Sequence, residues 1–557
     1  MVTFSSDPAV AETQMRAVIY YLVAFAYIDS DFDPAEKRFI KEHIARLVEA
    51  RARAAGHDPK LRGEAIARLT QHFHEVMEEI DHTIAGYFTE SVSLGETTQQ
   101  FVLAKLKLHC FELLKRFDEA GQQALLAAVE ELMLADGVIH PSEAAFRDEV
   151  VALVHAAEEL EPTELEAIAE GSVIIDETKR IPSRVANHPF FASGEWDFAR
   201  EPVLFEQQSR GELQLVGRLM QTLEAKRARG AGRLAGVKSF GELAPGTSFL
   251  DGYVHVLTPD PAAAYELLVL GDLHGCYSCL KAALLQADFF DKVEARRQDP
   301  RHHPEMALVL LGDYIDRGKF GLAGTLRAAM QLQVKLPENV YMLRGNHEYY
   351  VELDGRVLAP VRPCEAMDSI AKVARPEVFV QYMKLFEALP NVLAVGNLLF
   401  VHGGLPRADT LRERWKGLAT LNDPDIRFQM MWSDPSEADV VPLDLQKANA
   451  RFPFGRRQFH EFMGRIGCKT MVRGHERVCE GFRKVYDDPE GILLTLFSAG
   501  GAANDDLPPD SGFREVSPKA LTIRISNGVS TFVPFEIDYA RFNDPRHNAF
   551  FREQLGG

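Results

Sequence analysis

Between residues 265 and 500 the chain repeats one arrangement: a short apolar run stops abruptly at glycine, aspartate, asparagine, histidine or serine. Residues 265–270 run into Gly271-Asp272, residues 307–311 into Gly312-Asp313, and residues 340–343 into Arg344-Gly345-Asn346-His347. Residues 398–401 then meet His402, residues 470–472 meet Arg473-Gly474-His475, and residues 492–497 meet Ser498-Ala499-Gly500. Apolar runs of this length predict buried strands. Polar side chains emerging where such strands stop converge on one edge of a sheet, where open α/β sheets place their ligands. The glycines allow the chain to turn sharply there. An α/β catalytic region from about residue 248 onward is therefore expected.

At 557 residues the chain exceeds what one core organises, so two or three domains are expected. A net charge of -19 argues against general binding to nucleic acid or anionic membrane, which needs an excess of Lys and Arg. It leaves room for a phosphorylated substrate, because a bound metal supplies positive charge locally. Six cysteines make no disulfide framework, and no secretory pattern opens the sequence, so a reducing cytoplasm is expected. The apolar stretch 17–28 is shorter than the ~20 residues a bilayer requires and is expected to form a buried helix.

Residues 1–180 have helical periodicity and form an expected all-α domain. Within them Asp29-Ser30-Asp31-Phe32-Asp33-Pro34-Ala35-Glu36-Lys37-Arg38-Phe39 and Asp136-Gly137-Val138-Ile139-His140-Pro141-Ser142-Glu143-Ala144-Ala145-Phe146 share the pattern Asp-x-x-apolar-x-Pro-x-Glu-x-x-Phe. Each reads as a turn between helices in which Pro opens the second helix, where its missing N–H costs nothing. Glu36 and Glu143 then fall in a first turn, favoured by the helix dipole. The repeat resembles the tellurite-resistance-type TerB helical domain. Asp29, Asp31 and Asp33 suggest a calcium loop, but its sixth position is Pro34 rather than Gly and its twelfth is Ile40 rather than Glu, which favours capping.

Residues 181–247 read as a connector, helical over 213–223, followed by the basic, glycine-bearing stretch 226–233 as a flexible linker. The catalytic domain and tail then occupy 248–557, with the charged segment 291–304 as an enlarged surface loop. Cys276 and Cys279 stand without a second Cys pair and are expected to pack at a helix start.

Asp272, His274, Asp313, Asn346, His402 and His475 carry the donors of a dinuclear metal site. Mixed carboxylate, imidazole and amide ligands suit manganese, iron or zinc better than calcium or magnesium. Two such ions about 3.5–4 Å apart generate hydroxide from a shared water and clamp phosphoryl oxygens. His347, oriented by Asp316, is placed to protonate a leaving oxygen. Arg317 is suited to bidentate contact with phosphate.

Together, Gly271-Asp272-Leu273-His274-Gly275, Gly312-Asp313-Tyr314-Ile315-Asp316-Arg317-Gly318, Gly345-Asn346-His347-Glu348, His402-Gly403-Gly404 and Arg473-Gly474-His475 resemble the motif series of the phosphoprotein phosphatase family of calcineurin-like metallophosphoesterases. The resemblance spans roughly residues 248–530. It implies a central β-sandwich flanked by helices. It also implies two divalent ions, manganese foremost, with Asp272 and His274 on one, Asp313 bridging, and Asn346, His402 and His475 on the other. A second phosphate-binding arginine is implied downstream of Trp432-Ser433-Asp434-Pro435, where Arg451 fits best and Arg456 is the rival. Ser498-Ala499-Gly500-Gly501-Ala502-Ala503-Asn504 departs from the family's Pro-Asn-Tyr, so the tyrosine that overhangs the site is missing.

The expected function is metal-dependent hydrolysis of phosphoric monoesters, with a phosphorylated protein as substrate and the helical domain regulating access or recruiting a protein partner. The alternatives are hydrolysis of dinucleoside polyphosphates or another small phosphate compound, and phospho-ligand binding by an adaptor. Autoinhibition by the helical domain predicts that a chain shortened to start near Ser239 is at least as active as the whole.

Overall fold

The computed structural model describes residues 4–5, 7–28, 32–54, 59–90, 92–93, 96–134, 141–158, 172–182, 187–199, 201–353, 356–358, 361 and 376–555. It divides into two compact units, Met1–Thr163 with Val440–Ala450, and Glu164–Asp439 with Arg451–Gly557.

The smaller unit is helical: α1 (Pro8–Ala26), α2 (Pro34–Ala54), α3 (Pro59–Tyr87), α4 (Thr98–Leu114), α5 (Glu119–Met133) and α6 (Pro141–Glu158). Helix α1 carries the early apolar stretch and is buried over most of its circumference, with Val18, Ile19, Leu22 and Val23 inaccessible. A helix apolar on all sides belongs in a core. Among the described residues no helix is long and apolar enough to cross a membrane. Asp29, Asp31 and the turn 136–140 lie outside the described residues. What is described of the repeat follows capping chemistry. Pro34 and Pro141 each open a helix. Asp33 Oδ1 accepts the Ala35 and Glu36 N–H groups at 2.6 and 2.8 Å, and Glu36 Oε2 accepts the Asp33 N–H at 3.0 Å. The Asp33 carboxylate is thus engaged by the backbone of the helix it starts.

The larger unit packs two sheets face to face. One has the order β1 (Ser172–Ile175), β15 (Val529–Glu536), β14 (Lys519–Ser526), β4 (Tyr265–Leu270), β5 (Glu305–Leu310), β6 (Val340–Met342). The other runs β12 (Phe482–Asp488), β13 (Gly491–Leu496), β11 (Thr470–Arg473), β10 (Leu398–Val401), β9 (Val392–Val395), β3 (Val254–Leu257), β2 (Ser248–Asp251). A separate hairpin joins β7 (Val351–Leu353) to β8 (Arg356–Leu358). Between the sheets lie Leu267, Val269, Val309 and Leu343 from the first, against Leu393, Phe400, Val472 and Leu494 from the second. Helices cover both outer faces. The first is covered by α8 (Pro202–Gly230), α9 (Tyr277–Gln286), α11 (Arg327–Lys335) and the helix Pro376–Ala388, and the second by Pro424–Trp432 and Arg456–Ile466. A central β-sandwich flanked by helices follows, as the motif series implied. The strands expected before each motif are there, because runs buried on both faces read as continuous apolar stretches.

Three expectations fail. Residues 172–175, read as part of an all-α domain over 1–180, are β1, paired in parallel with β15 in the larger unit. The stretch 226–233 is the last turn of α8 and the turn after it. Lys226 donates to the Pro337 carbonyl, Arg227 Nε to the Gly252 carbonyl at 2.7 Å, and the Arg233 guanidinium stacks on Phe249. Basic residues whose heads meet carbonyls and rings are structure, although by composition they look like a solvated linker. The charged segment 291–304 is largely α10 (Phe289–Gln298), anchored by buried Phe289 and Val293. Helix α7 (Pro189–Ala192) likewise belongs to the larger unit, with Phe191 buried in its core.

Candidate metal centre

The motif loops meet at the seam between the two sheets. Strand β4 overruns into Asp272, which bridges in parallel to Phe497, just past β13. Neighbouring loops are tied by their backbones. Leu273 and His274 N–H groups donate to the Asp313 carbonyl at 3.0 and 2.8 Å, and Gly474 N–H donates to the His402 carbonyl at 2.9 Å. The carboxylates extend these ties, since Asp272 Oδ1 accepts the His475 N–H at 2.8 Å and Asp313 Oδ1 accepts the His347 N–H at 3.0 Å. Glycine is required at 345, where a Cβ would strike Asp313 Oδ1.

The six donor residues named from the sequence are brought together and buried. Asp313 is central: its Oδ2 lies 3.4 Å from His274 Nε2 and its Oδ1 lies 3.4 Å from His402 Nε2. Asn346 Oδ1 is 2.8 Å from His402 Nε2 and 3.0 Å from His475 Nδ1. Among the described residues Asp272 Oδ2 is buried without a hydrogen-bond partner, 3.6 Å from His274 Nε2. Two triads, His274-Asp313-His347 and Asp313-His402-His475, each bring their ligand atoms within 4.8 Å of one another. The remaining nitrogens of two imidazoles face carbonyls, His274 Nδ1 to Ile315 at 3.0 Å and His402 Nδ1 to Leu311 at 3.1 Å. Such outer partners fix the tautomer and leave Nε2 for a cation. An orphaned buried carboxylate oxygen among converging N and O donors fits divalent cations.

The charges agree. Burial works against the Asp313 carboxylate, but His402, His347 and His274 around it hold it well below the usual range. Burial works against protonation of His274, yet Asp272 and Asp313 raise it to about 9, and Asp313 likewise raises His402. Carboxylates that attract protons onto these rings attract cations equally. His475 goes the other way. Burial and the Arg451, His402 and Arg473 charges lower it well below its ordinary value, so its ring is neutral, the ligating form.

Around the donors, His347 Nδ1 and Asp316 Oδ2 are 2.6 Å apart, both buried. Arg317 is half-buried, its charge opposing protonation of His274. Arg451 Nη1 lies 3.2 Å from Asp434 Oδ2 and 3.4 Å from His475 Nε2. Arg456 instead meets Asp488 Oδ2 at 2.7 Å and Asp439 Oδ1 at 3.4 Å.

Sequence reasoning left three residues unassigned. Glu348 is inaccessible and accepts the N–H groups of Asp313 and Tyr314 at 2.8 Å and of Gly345 at 3.1 Å, spanning two motif loops. Burial and the adjacent Asp313 charge push its carboxyl up to about 8. Arg473 is fully buried and joins Asp434 Oδ1 and Glu476 Oε2, each at 2.6 Å. Asp434 in turn receives Arg451. All stood inside motifs already quoted. Their partners are backbone groups and other motif side chains, which spacing alone does not reveal.

Residues 265–479 match the family described as calcineurin-like phosphoesterase. A probable serine/threonine-protein phosphatase of Encephalitozoon cuniculi is 28% identical over 266 residues, covering 46% of this chain and 51% of that protein. The serine/threonine-protein phosphatase BSL2 of Arabidopsis thaliana is 30% identical over 252 residues, covering 42% of this chain and 23% of BSL2. The chain thus spans about half the length of the first and less of the second. A solved Saccharomyces cerevisiae serine/threonine phosphatase, described as similar to human phosphatase PP5, aligns over 59% of this chain and 90% of its own at 18% identity and a TM-score of 0.37. The TerB resemblance lies outside the matched residues and rests on the repeat alone. From β4 to the turn after His475, the chain carries a calcineurin-like metallophosphoesterase domain.

Proposed function

We propose that this protein hydrolyses phosphoric monoesters, with phosphorylated serine or threonine in a protein as substrate and two divalent ions, manganese foremost, as cofactors. The observation that carries this reading is the buried cluster of five donors around Asp313, with Arg451 Nη1 3.4 Å from His475 Nε2 beside it. Bound there, the ions supply an activated water and neutralise the phosphoryl oxygens. Asp272 and His274 would hold one ion, Asn346, His402 and His475 the other, and Asp313 both. Arg317 and Arg451 orient the phosphate through charge-assisted hydrogen bonds. Asp434 keeps the Arg451 guanidinium directed at the site. His347 would deliver a proton from Nε2 to the leaving oxygen, while Asp316, 2.6 Å from Nδ1, accepts the Nδ1–H and so orients the ring. The names of the two curated relatives support a protein substrate, and the helical unit is then a place for regulation or partner binding.

The test is metal-stripped protein with Mn²⁺ restored, assayed on a phosphoserine peptide and a dinucleoside tetraphosphate, with Asp313→Asn as control. Peptide turnover abolished by the substitution is expected. Turnover of the nucleotide alone would replace the substrate class, and turnover of neither with metal bound would favour an inhibited enzyme or a phospho-ligand adaptor.

A further inference from the structure

Several residues of the site sit in left-handed backbone, including His274 at φ 40°, Asp316 at 68° and Arg317 at 66°. Non-glycine residues hold such angles only where their surroundings over-determine them. Two of the segments concerned touch: a Cβ on Gly318 would run into the His274 carbonyl oxygen. A third part of the chain adds restraint to both.

Helix α9 begins just after His274, yet its N-cap, Cys276, makes no side-chain capping bond. The Ser278 N–H, left over by the first turn, donates instead to Asp506 Oδ2 at 2.6 Å, and Ser278 Oγ donates to Asp506 Oδ1 at 3.1 Å. The same residue's carbonyl accepts the Lys319 N–H at 2.8 Å, and Lys319 Nζ reaches the Asp505 carbonyl at 2.7 Å. Asp506 is inaccessible to solvent, and its own N–H is held by Asn504 Oδ1 at 3.1 Å. This is the loop in which Gly500-Gly501-Ala502 departs from the resembled family's pattern. We propose that Asp506 is a positioning residue for the site: its carboxylate caps the helix following His274, and its carbonyl holds the segment following Arg317. The loop that lacks an overhanging tyrosine thus braces two strained segments.

The proposal rests on the roles given above to His274 and Arg317. Its test uses the full chain with Asp506→Ala, Asp506→Asn, Ser278→Ala and, as a control for general destabilisation, Val533→Ala in β15. In folded Asp506→Ala, Mn²⁺ affinity by titration calorimetry is expected to fall about tenfold or more, the range for residues that support metal ligands. KM for the phosphoserine peptide should rise and kcat fall. Asp506→Asn, which keeps an acceptor for the Ser278 N–H, should recover most of both, and Ser278→Ala should lose about threefold, one neutral hydrogen bond's worth. Val533→Ala should lower Tm without changing either readout. Wild-type affinity in both Asp506→Ala and Ser278→Ala overturns the proposal, as does an equal loss in Val533→Ala at matched Tm. If Asp506→Ala does not fold, wild-type affinity and kinetics in Ser278→Ala overturn it. A wild-type protein without phosphatase activity defeats the functional reading instead, and the Mn²⁺ titrations still decide the role of Asp506.

Discussion

Arg451 reaches Asp434 and His475, whereas Arg456 turns to Asp488 and Asp439. A guanidinium on phosphate contributes about 1.5–3 kcal/mol as a charged hydrogen bond. Arg451→Ala should therefore lower kcat/KM on a phosphoserine peptide about 10- to 100-fold, and Arg456→Ala should leave it near wild type; the reverse ranking would reassign the phosphate contact. Glu348 acts at one remove. Replacing it by Gln sets an NH₂ group against N–H donors of the Asp313 and Gly345 loops, and Mn²⁺ affinity should fall about 10- to 100-fold by calorimetric titration. Unchanged affinity would mean the two loops hold their geometry without it.

Helix α8 buries Val216, Leu219 and Leu223 against the first sheet's outer face. Leu219→Ala should cost about 2–5 kcal/mol of unfolding free energy in urea, the range for deleting an inaccessible leucine. Where α8 ends, β3 carries His255, fully buried, its ring edge-on to Tyr341 at 5.2 Å. Burial, reinforced by Lys226 and Arg227, lowers His255 to about 3 from its ordinary 6.5. Below 6.5 the unfolded chain binds a proton that the folded chain refuses, so the stability associated with this residue is intact above that value and lost as the pH falls towards 3. At about 1.4 kcal/mol per pH unit, His255→Leu should reduce the loss of stability between pH 7 and pH 5 by about 2 kcal/mol. Parallel pH profiles for variant and wild type would show that His255 titrates in the fold.

The division of the chain changes what a shortened protein can show. A start at Ser239 removes α8 and Glu195, leaving Arg327 without Glu212 and Lys281 without Glu195, both inaccessible pairs. Breaking a buried pair by removing one partner costs about 3–5 kcal/mol. The Ser239 chain should therefore fail to fold, so its inactivity would say nothing about autoinhibition. A chain starting at Glu164, with Val440–Ala450 replaced by a short Gly-Ser linker, keeps the larger unit. If the helical unit restrains the enzyme, that chain should melt cooperatively and be at least as active as the whole. A folded, much less active protein would show that the helical unit supports catalysis. A cooperative melt from the Ser239 chain would overturn the role given to α8.

By itself the sequence determined the strands that end in the motifs, the N and O side chains that follow them and the capped turn at Asp33-Pro34, because each is a local pattern. Buried strands must be apolar, hard and borderline cations call for O and N donors, and a cap needs its acceptor a few residues away. Only the tertiary structure decided which arginine faces His475, why 226–233 is no linker, and that Glu348 and Asp506 brace the site. Each depends on partners far along the chain, such as Arg227 on the Ala388 carbonyl and Asp506 on Ser278. A charged side chain reads as solvated surface until the fold supplies the carbonyl, amide or ring that buries it.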